Sequence, residues 1–324
     1  MNISKHVQIL VLVLFQSFFL ASYAATNQTI FTAIFAHGLG GQAFHGEAYS
    51  DFFCCPIIAE NGPEWNHNIY GDNAGPEQSC LAQEDDIKVI EKQIETHLQE
   101  NIVLLGVSKG AATMINTVGW LADNHPSYLN NVKAVILDSP FSCPETVAVN
   151  VVKHQIGGNI GECIGSSIDN SCIRPIVKKL ETRIYPNYDP QGITPIKSIK
   201  QQWSHVDKDM VIVFVHSKKD QLISINDSRV LYLELKKLGF KNLYLIEAVD
   251  GAHGNVFWGS DKGGILEKLC LIYLKHDLPL PSLNDKYIES LIKRTGQQML
   301  SAIQPSIKEV NQSLHPWLSW LGLV

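Results

Sequence analysis

The sequence predicts an α/β protein built on a mostly parallel sheet with helices on both faces. Three observations predict it. Short apolar runs alternate with amphipathic stretches along most of the chain, which is the order of β-α-β units. The apolar runs are continuous rather than alternating, as strands buried on both faces require. The runs at 30–36 and 102–107 end directly in Gly-containing turns, where a parallel sheet opens its crevice.

Taken in order, residues 30–36 form a buried strand feeding the turn His37-Gly38-Leu39-Gly40-Gly41. Residues 66–70 are a weaker strand candidate before Gly71. Residues 81–98 carry Ile87, Ile90, Ile94 and Leu98 between charges, an amphipathic helix. Residues 102–107 are a strand, 109–122 a helix of small and apolar residues, and 132–137 a strand. The rhythm then breaks from 142 to about 208, a stretch with three cysteines, several prolines and Gly157-Gly158, expected as an insertion. It resumes with a strand at 210–215, a helix at 226–238, a strand at 242–246 and a helix at 261–275.

Of the 324 residues, 45% are hydrophobic and 18% charged, which excludes a disordered chain. Folding at this length buries roughly 75% of the extended surface, so a large core forms without metal or disulfide support. The net charge of −6 provides no basic excess for phosphates, and no nucleic-acid partner is expected. Lys5 and His6 precede an apolar run from 7 to 20, and Ala21, Ser22, Ala24 and Ala25 follow. This is the pattern of a secretory signal over 1–24, and a run of about 14 residues is short of the ~20 that span a bilayer. An uncleaved anchor is the competing reading. The mature protein is therefore expected outside the cytoplasm, secreted or periplasmic. There Asn27-Gln28-Thr29, Asn226-Asp227-Ser228 and Asn311-Gln312-Ser313 have the form of N-glycosylation acceptors.

Seven cysteines suit an oxidising compartment. Cys163 and Cys172 flank a short loop, and Cys80 is a candidate partner for Cys54 or Cys55, whereas Cys270 falls in a helical apolar pattern and reads as a buried thiol. No Cys-x-x-Cys occurs, and neither a metal site nor a cofactor is expected. Beyond the main domain, expected over 25–278, residues 279–324 form a helical extension carrying Leu283, Ile288, Leu291 and Ile292. It ends with Trp317 and Trp320, which pack on the domain or make a peripheral contact with lipid or a partner.

The chemistry is carried by Gly106-Val107-Ser108-Lys109-Gly110. This G-x-S-x-G follows a buried strand and opens a helix, the context of a nucleophile elbow, where small residues two before and two after the serine let strand and helix approach. A serine hydroxyl is a poor nucleophile at neutral pH and needs a histidine oriented by a carboxylate. Asp220 lies just past the 210–215 strand and His253 just past the 242–246 strand, giving the chain order Ser, Asp, His. Asp138, at the end of the 132–137 strand, is the rival acid, and Asp250 sits too near His253 in a tight loop. His37 and His216 read as structural. The spacing Gly38-x-Gly40-x-x-Ala43 also fits a dinucleotide fingerprint, but Phe44-His45-Gly46-Glu47 is a poor helix start and no acidic strand end follows about 20 residues on. Walker-type GKS or GKT is absent.

On the elbow and the order Ser108, Asp220, His253, the chain resembles the α/β-hydrolase superfamily over about residues 29–276. The resemblance implies the α/β-hydrolase fold with the 142–208 insertion as a lid, and an oxyanion hole made by the backbone N–H groups of Leu39, in an HGxxG-like loop, and Lys109. It further implies an exported serine hydrolase acting on a small-molecule or lipid ester or thioester. The alternatives are a serine peptidase on the same residues and an inactive binding protein that keeps the fold. Two features depart from the family pattern: no antiparallel strands precede the 30–36 run, and a lysine occupies the fourth elbow position, either paired with a carboxylate or at the rim of the site.

Overall fold

The computed structural model describes residues 30–39, 41, 43–52, 55–60, 80–147, 188–260 and 262–279. Six strands among them form one sheet: β1 (Phe31–Ala36), β2 (Ile57–Ala59), β3 (Asn101–Val107), β4 (Val132–Asp138), β5 (Val211–Ser217) and β6 (Leu243–Ala248). Their spatial order is β2-β1-β3-β4-β5-β6, and every pairing is parallel. The absence of alternation in the apolar runs thus has its expected cause, since every residue of β5 is buried. The strand β2 was not expected from the sequence. Three residues, all half-buried at the sheet edge, are too short to show a period. The 66–70 candidate lies outside the described residues, as do 1–24 and all of the 279–324 extension beyond its first residue. No helix among the described residues is long and apolar enough to cross a membrane.

The helices are α1 (Glu84–Thr96), α2 (Lys109–Asn124), α3 (Pro195–Gln201), α4 (Ile225–Lys237) and α5 (Lys262–Lys275). On one sheet face Ile34, Leu104, Val135 and Phe214 pack in a single core with Ile94 of α1, Met114 and Val118 of α2, Ile199 of α3 and Leu235 of α4. The apolar stripe of α1 is what turns that helix inward. On the Phe35 side an aromatic group gathers: Phe35 and Tyr49 centroids lie 5.3 Å apart, Tyr49 and Phe257 5.4 Å, and Phe52 and Phe257 4.7 Å. Tyr49 and Phe52 come from the 3-10 segment Ala43–Phe52. The helix α5 packs against β6, with Cys270 buried as a thiol whose ionisation burial pushes up to about 12.

The far end of the 142–208 stretch belongs to the body of the domain. Trp203 is fully buried and donates through Nε1 to the Ile115 carbonyl of α2 at 3.0 Å. Ser198 of α3 sits so close to α2 that a Cβ on Gly119 would lie 2.1 Å from its Oγ. Residues 148–187, the middle of the 142–208 stretch expected as a lid, lie outside the described residues.

Candidate functional site

The site is built on three turns at the carboxyl ends of β3, β5 and β6, the edge where open parallel sheets place their ligands. Ser108 follows β3 and precedes α2, with φ 55° and ψ −115°. A non-glycine residue in that region is strained, and it persists because the surroundings over-determine it. The glycines supply the room. A Cβ at Gly106 would lie 2.5 Å from the Gly110 carbonyl oxygen, and one at Gly110 would lie 2.0 Å from that of Ala36. Strand, elbow and β1 are therefore in backbone contact, and the strain at Ser108 holds its hydroxyl at the top of the sheet.

His253 Nε2 lies 2.8 Å from Ser108 Oγ, and its Nδ1 lies 2.8 Å from Asp220 Oδ2. A carboxylate only accepts, so Nδ1 carries the hydrogen and Nε2 is left to accept from the serine hydroxyl. The His253 loop is shaped by Gly251 and Gly254, at φ 119° and 64°. Asp250 in that loop accepts from Lys219 at 3.2 Å and from Ser260 at 2.7 Å, and so ties the His253 loop to the Asp220 turn. The Asp220 side chain is fully buried, and its Oδ1 accepts from the backbone N–H groups of Leu222 and Ile223, each at 2.9 Å. Burial alone would raise its carboxyl, but hydrogen bonds from His216, His253 and the backbone outweigh it and hold the group well below the usual carboxylate range.

The loop after β1 lies against Ser108. A Cβ at Gly38 would be 3.3 Å from Ser108 Cβ. The Gly41 N–H donates to the Gly38 carbonyl at 2.9 Å, closing the turn, and His37 is buried with Nδ1 2.9 Å from that same carbonyl. Leu39, at the tip, is 42% exposed.

Lys109 resolves into the paired alternative. Its ammonium is buried 2.9 Å from Asp86 Oδ1 in the first turn of α1. A cation in the first turn of a helix opposes the helix dipole, and Asp86 offsets it. Asp86 Oδ2 also accepts from the Ala82 N–H at 2.7 Å and the Cys80 thiol at 3.4 Å. That bond helps hold Leu81 and Ala82 at φ 51° and 71°. Cys80 is a buried thiol in this structure, pushed up to about 12 by burial and by Asp86. Cys54, Cys163 and Cys172 lie outside the described residues. Sequence reasoning missed Asp86, although a signal existed: Asp86, Ile90 and Ile94 are spaced by four on one helical face, so the carboxylate falls on the buried stripe.

Asp138 is close to this group but is engaged elsewhere. Its carboxylate, fully buried, accepts from Ser139 Oγ at 2.8 Å and from the Tyr49 hydroxyl at 3.1 Å. Burial pushes it up to about 6, against those two hydroxyls and nearby His253, which act the other way. With a folded value above the ordinary 3.8, the protonated carboxyl favours the folded state below pH ~4, and that contribution is lost as pH rises through 6. Asp138→Asn is therefore expected to gain stability over wild type between pH ~4 and ~7.5, by up to about 3 kcal/mol. Its turnover should stay within about threefold, since the hydroxyls of Tyr49 and Ser139 rotate to accept from an amide. Urea unfolding at the two pH values checks this, and an unchanged difference would mean that the carboxyl is not held protonated.

No family model and no curated protein matches the chain. Solved structures do. An acylaminoacyl peptidase from Pyrococcus horikoshii is 16% identical over 82% of this chain and 40% of its own, with a TM-score of 0.47. A Pyrococcus furiosus esterase is 13% identical over 73% of this chain and 82% of its own, at 0.44. A Paleococcus ferrophilus monoacylglycerol lipase is 18% identical over 76% and 94%, at 0.38. The match thus spans about two fifths of the peptidase's length. The parallel sheet with its strand–serine–helix elbow after β3, and with Asp220 and His253 after β5 and β6, gives this chain the α/β-hydrolase fold.

Proposed function

We propose that the chain is an exported serine hydrolase that cleaves an ester or thioester through an acyl-enzyme, with Ser108, His253 and Asp220 as its catalytic triad. The observation that carries this reading is the pair of 2.8 Å hydrogen bonds through which His253 joins the strained Ser108 to the buried Asp220. His253 takes the proton from Ser108 as its oxygen attacks the carbonyl carbon. The N–H groups of Leu39 and Lys109 receive the negative charge that develops on the carbonyl oxygen. Asp220 stabilises the imidazolium and keeps its orientation. The proton then passes from His253 to the leaving alkoxide or thiolate, whose bond to the acyl carbon breaks. Water repeats the cycle to release the acid. The substrate is a small-molecule or lipid ester, and exposed Leu39 provides apolar surface beside the nucleophile. Export rests on the apolar run at 7–20.

A fluorophosphonate probe tests the reading. Labelling that maps to Ser108, with turnover of acyl esters or thioesters faster than of peptide amides, is expected. Faster amide cleavage would make the chain a peptidase, and no labelling at all would make it a binding protein.

A further inference from the structure

His216 is the sixth residue of β5, four residues before Asp220, and it is fully buried. Its ring is held at three points. Nδ1 lies 2.7 Å from Ser228 Oγ in α4, while Nε2 lies 3.0 Å from the Ile223 carbonyl oxygen and 3.3 Å from Asp220 Oδ2. Carbonyl and carboxylate oxygens only accept, so Nε2 carries a hydrogen, and in the neutral ring Nδ1 accepts from the Ser228 hydroxyl. The surroundings thus fix the tautomer.

A histidine that merely filled the end of a strand would be satisfied by Ser228 and Ile223 alone. The third contact goes further. His216 Nε2, whose hydrogen points to the Ile223 carbonyl, also lies 3.3 Å from Oδ2 of Asp220, the same oxygen that receives the His253 N–H. Oδ1 is meanwhile held by Leu222 and Ile223. Three hydrogen bonds converge on this buried carboxylate, two at Oδ1 and one at Oδ2, and His216 Nε2 adds a longer contact at Oδ2, sharing between Asp220 and Ile223 the one hydrogen it carries; together they restrict the carboxylate's rocking about its terminal bond. Ser228, the last residue of the Asn226-Asp227-Ser228 sequence, has its hydroxyl committed to this chain inside the protein.

We infer that His216 is a positioning residue for the reaction: it fixes the Asp220 carboxylate, and through it the angle at which His253 presents Nε2 to Ser108. The inference rests on the serine hydrolase reading above. Its physical basis is that a reacting group displaced by about 1 Å costs on the order of 100-fold in rate, even when the change lies far from the chemistry.

The test uses the full chain with His216→Leu and His216→Gln. Leucine fills much of the ring's volume without a donor. Glutamine carries an NH₂ group near the place of Nε2, with one hydrogen for Ile223 and one for Asp220. The readout is phosphonylation of Ser108 by a fluorophosphonate, separated into probe affinity and maximal rate. The expected result is a maximal rate about 10- to 100-fold lower in His216→Leu, with affinity within about threefold and His216→Gln restored to within about threefold of wild type. If His216→Leu fails to fold, Ser228→Ala decides, because it removes the hydroxyl that anchors the ring at Nδ1; a rate about 3- to 10-fold lower at unchanged affinity is expected. A wild-type rate in His216→Leu, or in Ser228→Ala where that variant decides, would overturn the positioning role and leave the hydrolase reading standing. Equal loss in His216→Leu and His216→Gln would also overturn it. A wild-type chain that does not label at all removes the hydrolase reading itself, and this inference with it.

Discussion

Ser108→Ala is expected to lower turnover by about 10³-fold or more while leaving the unfolding free energy nearly unchanged. The substitution removes only the Oγ, whose partner His253 retains its bond to Asp220. Asp220→Asn is expected to be similarly damaging, on the order of 10³- to 10⁴-fold, for a reason visible in its donors. Both oxygens of Asp220 face N–H groups: two backbone amides at Oδ1, and His253 and His216 at Oδ2. An asparagine NH₂ in either place sets donor against donor. The arrangement then relaxes only by turning His253 to the wrong tautomer or by breaking the turn. Asp138→Asn provides the contrast, because its carboxylate faces hydroxyls, which can reverse their direction. Turnover of an acyl ester panel by the three variants separates the two carboxylates. If Asp138→Asn were inactive and Asp220→Asn near wild type, the acid would be Asp138.

The second large effect is structural. Gly110→Ala should cost more than about 4 kcal/mol or prevent folding, beyond the ordinary range for overpacking. The new Cβ would lie 2.0 Å from the Ala36 oxygen, 2.4 Å from the Ala36 carbon and 2.7 Å from the His37 oxygen, all backbone atoms with no rotamer to yield. The atoms that would move are the end of β1 and the start of the loop carrying Gly38 and Leu39, so any folded fraction should also lose activity. Gly263→Ala in α5 is the control. Nothing lies within 4 Å of its Cβ, and a gain of about 0.5–1 kcal/mol is expected from helix propensity. Urea unfolding of the two variants checks both, and a Gly110→Ala protein as stable as wild type would mean that strand and elbow are not in contact.

How far the sequence could be read follows from the range of the forces involved. Strands β1, β3, β4, β5 and β6 were legible because two-sided burial writes itself into consecutive residues. Their bounds shifted by only one or two residues, as at β5, where the strand runs on through His216 and Ser217. The edge strand β2 was illegible because a half-buried triplet has no pattern of its own. Helix α3 was hidden in the irregular 142–208 stretch. It is short, begins at Pro195, and owes its place to α2 rather than to a strong periodicity of its own.

The site divides along the same line. Ser108, Asp220 and His253 were legible because each follows a recognisable strand, and a parallel sheet brings all such ends to one edge. That much the sequence determined by itself, through local pattern and chain order. The buried partners were decided by tertiary packing. Asp86 is one of three acidic residues opening α1, and only the docking of α1 on α2 turns it, rather than Glu84 or Asp85, onto Lys109. Asp138 and Asp220 are both carboxylates at strand ends. What separates them is whether hydroxyls or N–H groups surround them in three dimensions. His216 looks like the end of a strand until α4 and the Asp220 turn close around its ring. Hydrogen-bond partners distant in sequence are set by packing, and packing is a property of the folded chain as a whole.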